Sequence, residues 1–260
     1  MKLAANISML FSDLAMLDRP AAAKEKGFTG IEVQFPYAQS PEDWLQALEK
    51  AGLPLVLINL PAGDFMQGGR GLACHPDREE AFDQALEASL PYIEQLKPQI
   101  VNVLAGRLGA QDSPQTCEQQ LVKNLKKVTQ RLQDHSITVT CEPINNLDQP
   151  GYLTPRVNDW ARVAQAVEAD NFGLQLDIYH AARMQEDIPQ LLTDFAEQLA
   201  HLQFADVPGR GAPGTGSLAF NDYWQQLQAS GYQGWIAAEF SGNYQDAFTW
   251  VPLIHGAFQQ

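Results

Sequence analysis

Hydrophobic residues occur along this chain in short runs that alternate with longer amphipathic stretches. Eight runs have the length and composition of buried strands, at residues 3–7, 30–35, 53–60, 100–104, 138–141, 173–176, 201–204 and 235–239. Between them, apolar positions recur at helical spacing. The predicted helices are residues 14–26, 41–51, 77–96, 114–133, 156–169, 188–199, 219–230 and 244–258.

Local signals mark where two of these helices begin and where one of them ends. Ser40 and Pro41 form an N-cap and a first helical position, and Gly52 follows the last turn. Ser113 and Pro114 repeat the start signal for the helix that follows the fourth strand. These residue types at these positions are typical of helix ends.

Eight strands, each followed by a helix, within 260 residues predict a single (β/α)₈ TIM barrel domain spanning residues 1–260. The alternative is an open doubly wound sheet, which more often carries a GxGxxG loop after its first strand, where this chain has SMLFSDL. The segments after the strands are long, at 61–76, 105–113, 143–155 and 205–218. In a TIM barrel those segments form the active face.

Oxygen-bearing side chains end four consecutive strands. Glu142, Asp177, Gln203 and Glu239 stand at the carboxyl ends of the fifth to eighth strands. Neighbouring strands lie about 4.8 Å apart, so these side chains converge at the barrel mouth. A single such carboxylate is more often a helix cap or part of a loop salt bridge. Three carboxylates that close would repel one another, and a divalent cation removes that repulsion. An all-oxygen set favours Mg²⁺ or Mn²⁺ over zinc.

Charge and hydropathy exclude several classes of partner. The formal net charge of −14 disfavours nucleic acid and anionic membrane surfaces. No apolar run is long enough to span a membrane. The first residues, MKLAANISML, lack the apolar region and cleavage site of a signal peptide, which predicts a cytoplasmic protein. Three cysteines, Cys74, Cys117 and Cys141, are expected to be reduced thiols, with Cys141 buried and facing away from the site.

Two other chemistries common on this fold are disfavoured. A Schiff-base mechanism needs a lysine at the carboxyl end of a strand, and the eight lysines lie on predicted helices or their ends, apart from Lys2 at the start of the first strand. The chain also lacks a GxSxG nucleophile elbow.

Several motifs spread over nearly the whole chain resemble one family. They are AANISMLF at 4–11, GIEVQFPY at 30–37, PAGD at 61–64, GGRGLACHPDR at 68–78, VNVLAG at 101–106, CEPINNLDQPGY at 141–152, LQLDIYHA at 174–181, HLQFADVPGRGAPGTG at 201–216 and GYQGWIAAEF at 231–240. Together they resemble the hydroxypyruvate isomerase family of the xylose isomerase-like barrels. The segment at 68–78 departs from the family pattern in carrying His75.

The resemblance implies an activity and the residues that carry it. Glu142 and Glu239 would be the catalytic pair, and with Asp177 and Gln203 they would hold the metal. The reaction would convert hydroxypyruvate into tartronate semialdehyde by proton transfer through an enediolate. Related alternatives are 2-oxo-tetronate isomerase and ketose 3-epimerase. A more distant relative is a zinc endonuclease for abasic DNA, which needs a His-rich multi-metal site and a DNA surface, and this acidic chain offers neither. A non-enzyme alternative is a sugar-acid-binding protein with a degenerate site.

The substrate of such an enzyme is an acid, so a cation is expected to bind its carboxylate. Arg210 is the only cation in the loop after the seventh strand, and its planar fork matches a carboxylate. The resemblance adds His180 as a hydrogen-bond partner of a substrate oxygen, and further substrate-binding candidates on the same face. These are Glu32, Tyr37, Asn102 and Arg70. A homo-oligomer is left open.

Overall fold

Eight short parallel strands form the centre of the molecule. The structure, a computed structural model, describes residues 1–242, 248–252 and 254. The strands are β1 Lys2–Asn6, β2 Gly30–Val33, β3 Leu55–Asn59, β4 Ile100–Asn102, β5 Thr138–Thr140, β6 Phe172–Asp177, β7 Leu199–Phe204 and β8 Trp235–Ala238. Each strand pairs with the next, and β8 pairs with β1, which closes a barrel. The predicted (β/α)₈ barrel is therefore confirmed, and the open doubly wound sheet is excluded.

Helices follow the strands around the outside of the barrel. They are α1 Arg19–Glu25, α2 Pro41–Ala51, α3 Glu79–Leu96, α4 Pro114–Leu132, α5 Val157–Val167, α6 Ile178–Arg183, α7 Ile188–Asp194 and α8 Phe220–Ala229. The predicted caps of two helices are confirmed, since the Ser40 and Ser113 side chains accept hydrogen bonds from the backbone amides of Asp43 and Thr116. Gly52 adopts the left-handed conformation at the end of α2, with φ 61°.

The structure corrects several predicted boundaries. The helix predicted at 14–26 begins only at Arg19, after a 3₁₀ turn at Met16–Asp18, and Pro20 occupies its first turn. The helix predicted at 188–199 ends at Asp194, because Leu199 already belongs to β7. Helix α6 was not predicted, since six residues are too few to show a period. Most of the helix predicted at 244–258 lies outside the described residues.

Side chains alternate between the barrel interior and the layer of helices, as expected for a strand. A cluster of apolar side chains fills part of the interior, consisting of Ala4, Val56, Leu57, Ile100, Trp235 and Ala237. Trp235 lies so close to β2 that a Cβ atom at Gly30 would be 2.7 Å from the indole ring. Glycine at this position therefore makes room for the large ring of the interior cluster.

Among the described residues, no helix is both long and apolar enough to cross a membrane. None of the three cysteines forms a disulfide, as predicted, and all three are buried, as expected for Cys141. Cys141 packs in the hydrophobic layer between barrel and helices, whereas the neighbouring Glu142 belongs to the site described next.

Candidate active site

Four side chains meet at the carboxyl end of the barrel, and we call them the acidic ring: Glu142, Asp177, Gln203 and Glu239. Glu142 follows β5 by two residues, Asp177 ends β6, Gln203 lies in β7 and Glu239 directly follows β8. The parallel register pairs Asp177 with Gln203, which sets these two side by side. All four are at least 94% buried. The convergence predicted from the strand ends is therefore present in the fold.

Glu239 is the most heavily hydrogen-bonded member of the ring. Its Oε2 accepts from Asn6 Nδ2 at 2.9 Å and from Gln203 Nε2. Its Oε1 accepts from Gln34 Nε2 at 3.2 Å and from Arg210 Nη2. Donors from β1, β7 and the loops that follow β2 and β7 thus hold this carboxylate in one orientation.

Glu142 is held mainly through its backbone. Its N–H donates to Asn102 Oδ1 at 3.1 Å, and its carbonyl accepts from the Tyr152 hydroxyl at 3.0 Å. In the side chain, Oε2 accepts from Gln175 Nε2 at 3.2 Å. Oε1 is buried and has no hydrogen-bond partner among the described residues, and His180 Nε2 lies 3.7 Å away. A buried carboxylate oxygen without a donor is unusual, and it faces the ring.

Burial and mutual repulsion change the proton affinities of the site. Burial, together with the charges of Glu239 and Asp177, raises the pKa of Glu142 well above its usual range. Burial also raises the pKa of Glu239 to about 8, although the Arg210 guanidinium opposes the shift. Burial lowers the pKa of His180 to about 4. Two carboxyl groups with raised pKa values are a common arrangement for proton transfer near neutral pH.

The donor set fits a hard divalent cation. Glu142 and Asp177 bring carboxylate oxygens within 4.8 Å of each other and of a ring nitrogen of His180. The Arg210 guanidinium pairs with Asp177 at 3.3 Å and with Glu239, which shows that the ring attracts positive charge. Carboxylate oxygens are the ligands preferred by Mg²⁺ and Mn²⁺. The unpartnered Glu142 Oε1 is the atom best placed to accept such an ion.

Gln203 presents its amide nitrogen to the acidic ring. Nε2 donates to Glu32 Oε2 at 2.9 Å and to Glu239, whereas Oε1 accepts from Gln175 Nε2 at 2.7 Å. Coordination of a metal through Oε1 would require this amide to turn over and to give up all three hydrogen bonds. The assignment of Gln203 as a ligand therefore stays a prediction.

Glu32, a predicted substrate contact, lies beneath the ring and is fully buried. Its Oε2 accepts from Asn6 Nδ2 at 3.2 Å and from Gln203, the same two amides that donate to Glu239. Its Oε1 contacts His201 Nε2. In this position Glu32 orients two donors of Glu239.

Three other predicted substrate contacts are bound within the protein. The Tyr37 hydroxyl donates to the Asn59 carbonyl at 2.7 Å. The Asn102 amide donates to Asn59 Oδ1 at 3.0 Å and accepts from the Glu142 backbone. Arg70 pairs with Asp77 at 2.7 Å and with Asp112 at 3.2 Å. These contacts fix the backbone and the loops around the ring, and the predicted roles in substrate binding stay untested.

The structure places Arg210 and His180 at the ring, and their roles in substrate binding stay predictions. Arg210 has φ 55° and lies with its guanidinium carbon 5.0 Å from the centre of the Tyr179 ring. His180 lies in α6, three residues after Asp177, and its Nε2 atom is 3.6 Å from Asp177 Oδ2.

Sequence reasoning missed the polar residues that support the ring. Gln175 precedes Asp177 by two positions, and His201 precedes Gln203 by two. Since side chains alternate along a strand, a polar residue two positions before a ring member points into the same interior. That spacing was the available signal for these two, whereas Asn6, Gln34 and Asn145 carried no comparable pattern.

Comparisons with known proteins agree with this architecture. The family model for the xylose isomerase-like TIM barrel matches residues 20–252. Hydroxypyruvate isomerase of Escherichia coli is 35% identical over 92% of this chain and 93% of its own length. 2-Oxo-tetronate isomerase of Cupriavidus necator is 33% identical over 92% of each.

A solved structure extends the likeness to three dimensions. The crystal structure of a protein described as AP endonuclease, family 2, from Brucella melitensis superimposes with a TM-score of 0.92 at 30% identity, covering 96% of this chain and 98% of that one. With its closed barrel and its match to the family model, the chain belongs to the xylose isomerase-like TIM barrel family.

Proposed function

We propose that this protein is a metal-dependent isomerase of a small 2-oxo sugar acid, converting hydroxypyruvate into tartronate semialdehyde. The observation that carries the proposal is the buried pair Glu142 and Glu239, whose pKa values are raised, at the mouth of the barrel. The names of the Escherichia coli and Cupriavidus necator relatives support the reaction class and leave the four-carbon 2-oxo-tetronate as the alternative substrate.

Two carboxyl groups suffice for the proton transfers that the reaction needs. One takes a proton from carbon 3 of hydroxypyruvate, and the other delivers a proton to carbon 2 of the resulting enediolate. The oxygen of carbon 3 loses its hydroxyl proton as the aldehyde forms, and the oxygen of carbon 2 gains a proton to become the new hydroxyl. Atoms and electrons therefore balance without an oxidant or a reductant.

A divalent cation would be held by Glu142, Asp177 and Glu239, with Gln203 as a fourth ligand if its amide turns over. When bound, the cation would polarise the substrate carbonyl and stabilise the negative charge of the enediolate. The chain's own residues would do the rest: Asn6 and Gln34 hold Glu239 in place, and His180 donates a hydrogen bond to a substrate oxygen.

Arg210 is proposed to bind the substrate carboxylate. It lies against the ring with its side chain 23% exposed, so a ligand at the barrel mouth can reach it. Arg210→Ala should weaken binding of the acid by about 2–4 kcal/mol, and Arg210→Lys should recover only part of the loss. Binding of neutral dihydroxyacetone, measured as inhibition, should change far less. Equal losses for the acid and the neutral compound would show that Arg210 acts on the shape of the loop.

The central test is isomerisation of three- and four-carbon 2-oxo acids by protein stripped with EDTA and then supplied with Mg²⁺ or Mn²⁺. We expect activity only with metal, and deuterium on the product carbon in D₂O. Glu142→Gln and Glu239→Gln should each lower the rate by about 10²–10⁴. Glu49→Gln, on the exposed surface of α2, is the matched control and should be fully active. Full activity without metal, or a product that keeps every substrate hydrogen, would contradict the proposal.

The name of the Brucella melitensis protein raises endonuclease activity as a second candidate. A net charge of −14 opposes binding to a phosphate backbone, whose affinity depends on cationic contacts. Cleavage of abasic DNA by the same metal-loaded preparations, in place of isomerisation, would favour this candidate.

A further inference from the structure

The side chain of Asn145, buried in the loop after β5, has an orientation set by the backbone. Its Oδ1 accepts hydrogen bonds from the N–H groups of Leu147 at 3.1 Å and Asp148 at 2.9 Å. An amide nitrogen has no lone pair to accept with, so the atom facing these two donors must be the oxygen. The Asn145 nitrogen therefore points the opposite way.

That nitrogen meets the imidazole of His180. Asn145 Nδ2 lies 2.6 Å from His180 Nδ1, and it also donates to Asp148 Oδ2 at 3.0 Å. Because Asn145 Nδ2 carries only hydrogens, His180 Nδ1 must present a lone pair. A proton on Nδ1 would place two N–H groups against each other at this distance, which excludes both the Nδ1–H tautomer and the doubly protonated ring.

The remaining ring nitrogen faces the acidic ring. His180 Nε2 lies 3.7 Å from Glu142 Oε1 and 3.6 Å from Asp177 Oδ2. A neutral imidazole carries one proton, and with Nδ1 as an acceptor that proton is on Nε2. His180 thus offers an N–H to whatever binds beside Glu142 and Asp177.

We propose that Asn145 is a positioning residue that fixes His180 in the Nε2–H tautomer, so that His180 donates to a substrate oxygen and does not bind the metal. The proposal deepens the proposed function, on which its reference to a substrate rests. Histidines that bind metals usually donate their second nitrogen to a carboxylate or carbonyl, which leaves the first free to coordinate. In His180 the second nitrogen accepts, and the neutral ring has no lone pair left on Nε2.

A second layer of contacts holds this arrangement in place. Asp148, which accepts from Asn145, also accepts from the Tyr179 hydroxyl at 2.7 Å and from Arg183 Nη2 at 3.1 Å. Tyr179 and Arg183 belong to α6, the helix that carries His180. The loop after β5 and the helix after β6 are thereby joined through Asp148 as well as through the contact between Asn145 and His180.

The tautomer can be read directly from ¹⁵N-labelled histidine in the full-length protein. Long-range ¹H–¹⁵N spectra distinguish Nδ1 from Nε2 by their couplings to the ring hydrogens, and His180→Gln identifies the signals among the five histidines. We expect a protonated Nε2 and an unprotonated Nδ1, both in metal-free protein and with saturating Mg²⁺. A proton on Nδ1 in the wild-type protein, or loss of the Nε2 proton when Mg²⁺ binds, would overturn the proposal.

Asn145→Asp tests whether Asn145 sets the tautomer of His180. It keeps Oδ1 for the two backbone donors but replaces the donor to His180 by an acceptor, so Nδ1 should become protonated. The kcat for the acid substrate should fall by about 10-fold or more, as expected for a misplaced donor. Asn171→Asp, which removes amide donors to the carbonyls of Thr129 and Ile137 elsewhere in the barrel, should leave the His180 signals unchanged.

An Nδ1 that stays unprotonated in folded Asn145→Asp protein would show that Asn145 does not set the tautomer. The wild-type spectrum decides the question if this variant fails to fold. The spectra require no turnover, so a chain that isomerises none of the tested acids would refute the proposed function and leave the tautomer result intact.

Discussion

At the scale of single residues, the site combines one carboxylate with many donors and one with few. Among the residues that the structure describes, the Glu239 carboxylate accepts from four side chains, whereas the Glu142 carboxylate accepts from Gln175 alone and keeps a buried oxygen without a donor. Burial of an unpartnered charge destabilises a folded protein. Of the two carboxyl groups proposed to move protons, Glu142 is thus held in the less stable environment, as often happens at catalytic sites.

The cost of burying the Glu142 charge predicts how Glu142→Gln changes the stability of metal-free protein. Because the folded state raises the pKa of Glu142, folded protein binds its proton more tightly than unfolded protein does, and the free energy of unfolding falls as pH rises above about 4.5. Glutamine carries no charge at any pH, so the variant does not lose this stability as pH rises. The variant should be more stable than wild type by about 1–3 kcal/mol at pH 8, with the difference vanishing near pH 4.5.

Urea unfolding in EDTA at several pH values measures this difference. Glu49→Gln on the exposed face of α2 is the matched control and should show no pH-dependent gain. A Glu142→Gln protein that is less stable than wild type at pH 8 would mean that the carboxylate is better compensated than its contacts indicate.

At the scale of elements, the loop between β7 and α8 is organised around one buried carboxylate. Asp206 Oδ1 accepts from the N–H groups of Val207 at 2.9 Å and Leu218 at 3.1 Å. Its Oδ2 accepts from Gly214 and Gly216, each at 2.9 Å. At Gly216 the backbone passes so close that a Cβ atom would be 2.1 Å from the Val207 carbonyl oxygen. This loop carries Arg210 to the ring.

Asp206→Asn should therefore loosen the loop without disturbing the barrel. The substitution sets an NH₂ group against backbone donors, and unmet hydrogen bonds of this kind cost about 1–3 kcal/mol. We expect faster amide exchange at residues 207–218 and a higher KM for the acid substrate, with unchanged exchange in the strands.

Hydrogen-exchange mass spectrometry checks this expectation, and Asp222→Asn on the exposed face of α8 is the control. Unchanged exchange in the loop of Asp206→Asn protein would show that other contacts determine its order.

At the scale of the whole molecule, the fold combines strong negative charge with a site proposed to bind anions. The formal net charge is −14. Such a protein repels an anionic substrate at long range, even if Arg210 attracts it at short range. Salt screens the long-range repulsion by the net charge more than it screens the short-range attraction by Arg210. The reason is that the Debye length falls from about 30 Å at 0.01 M to about 10 Å at 0.1 M.

The KM for the acid substrate should therefore fall by about 2- to 5-fold when NaCl is raised from about 10 to 200 mM. Inhibition by neutral dihydroxyacetone should be unaffected by the same change. A KM that rises with salt would indicate that the local field of the cationic loop dominates over the net charge.

Much of the architecture could be predicted from local patterns. The order of strands and helices, the caps at Ser40 and Ser113 and the convergence of the acidic ring all follow from residue types at short spacing along the chain. A closed parallel barrel brings every strand end to one face, so the alternation of elements was enough to place Glu142, Asp177, Gln203 and Glu239 together.

The chemistry within that face was decided by contacts between residues far apart in sequence. Asn145 and His180 are 35 residues apart, and Asn6 and Glu239 are 233 apart. No local pattern shows that Glu32 lies under the ring, or that Gln203 turns its nitrogen towards the carboxylates. The sequence by itself determined which side chains reach the barrel mouth, because strand periodicity is local. Only the tertiary structure decided which atoms donate and which accept there, because hydrogen-bond direction depends on neighbours that the closed barrel brings together.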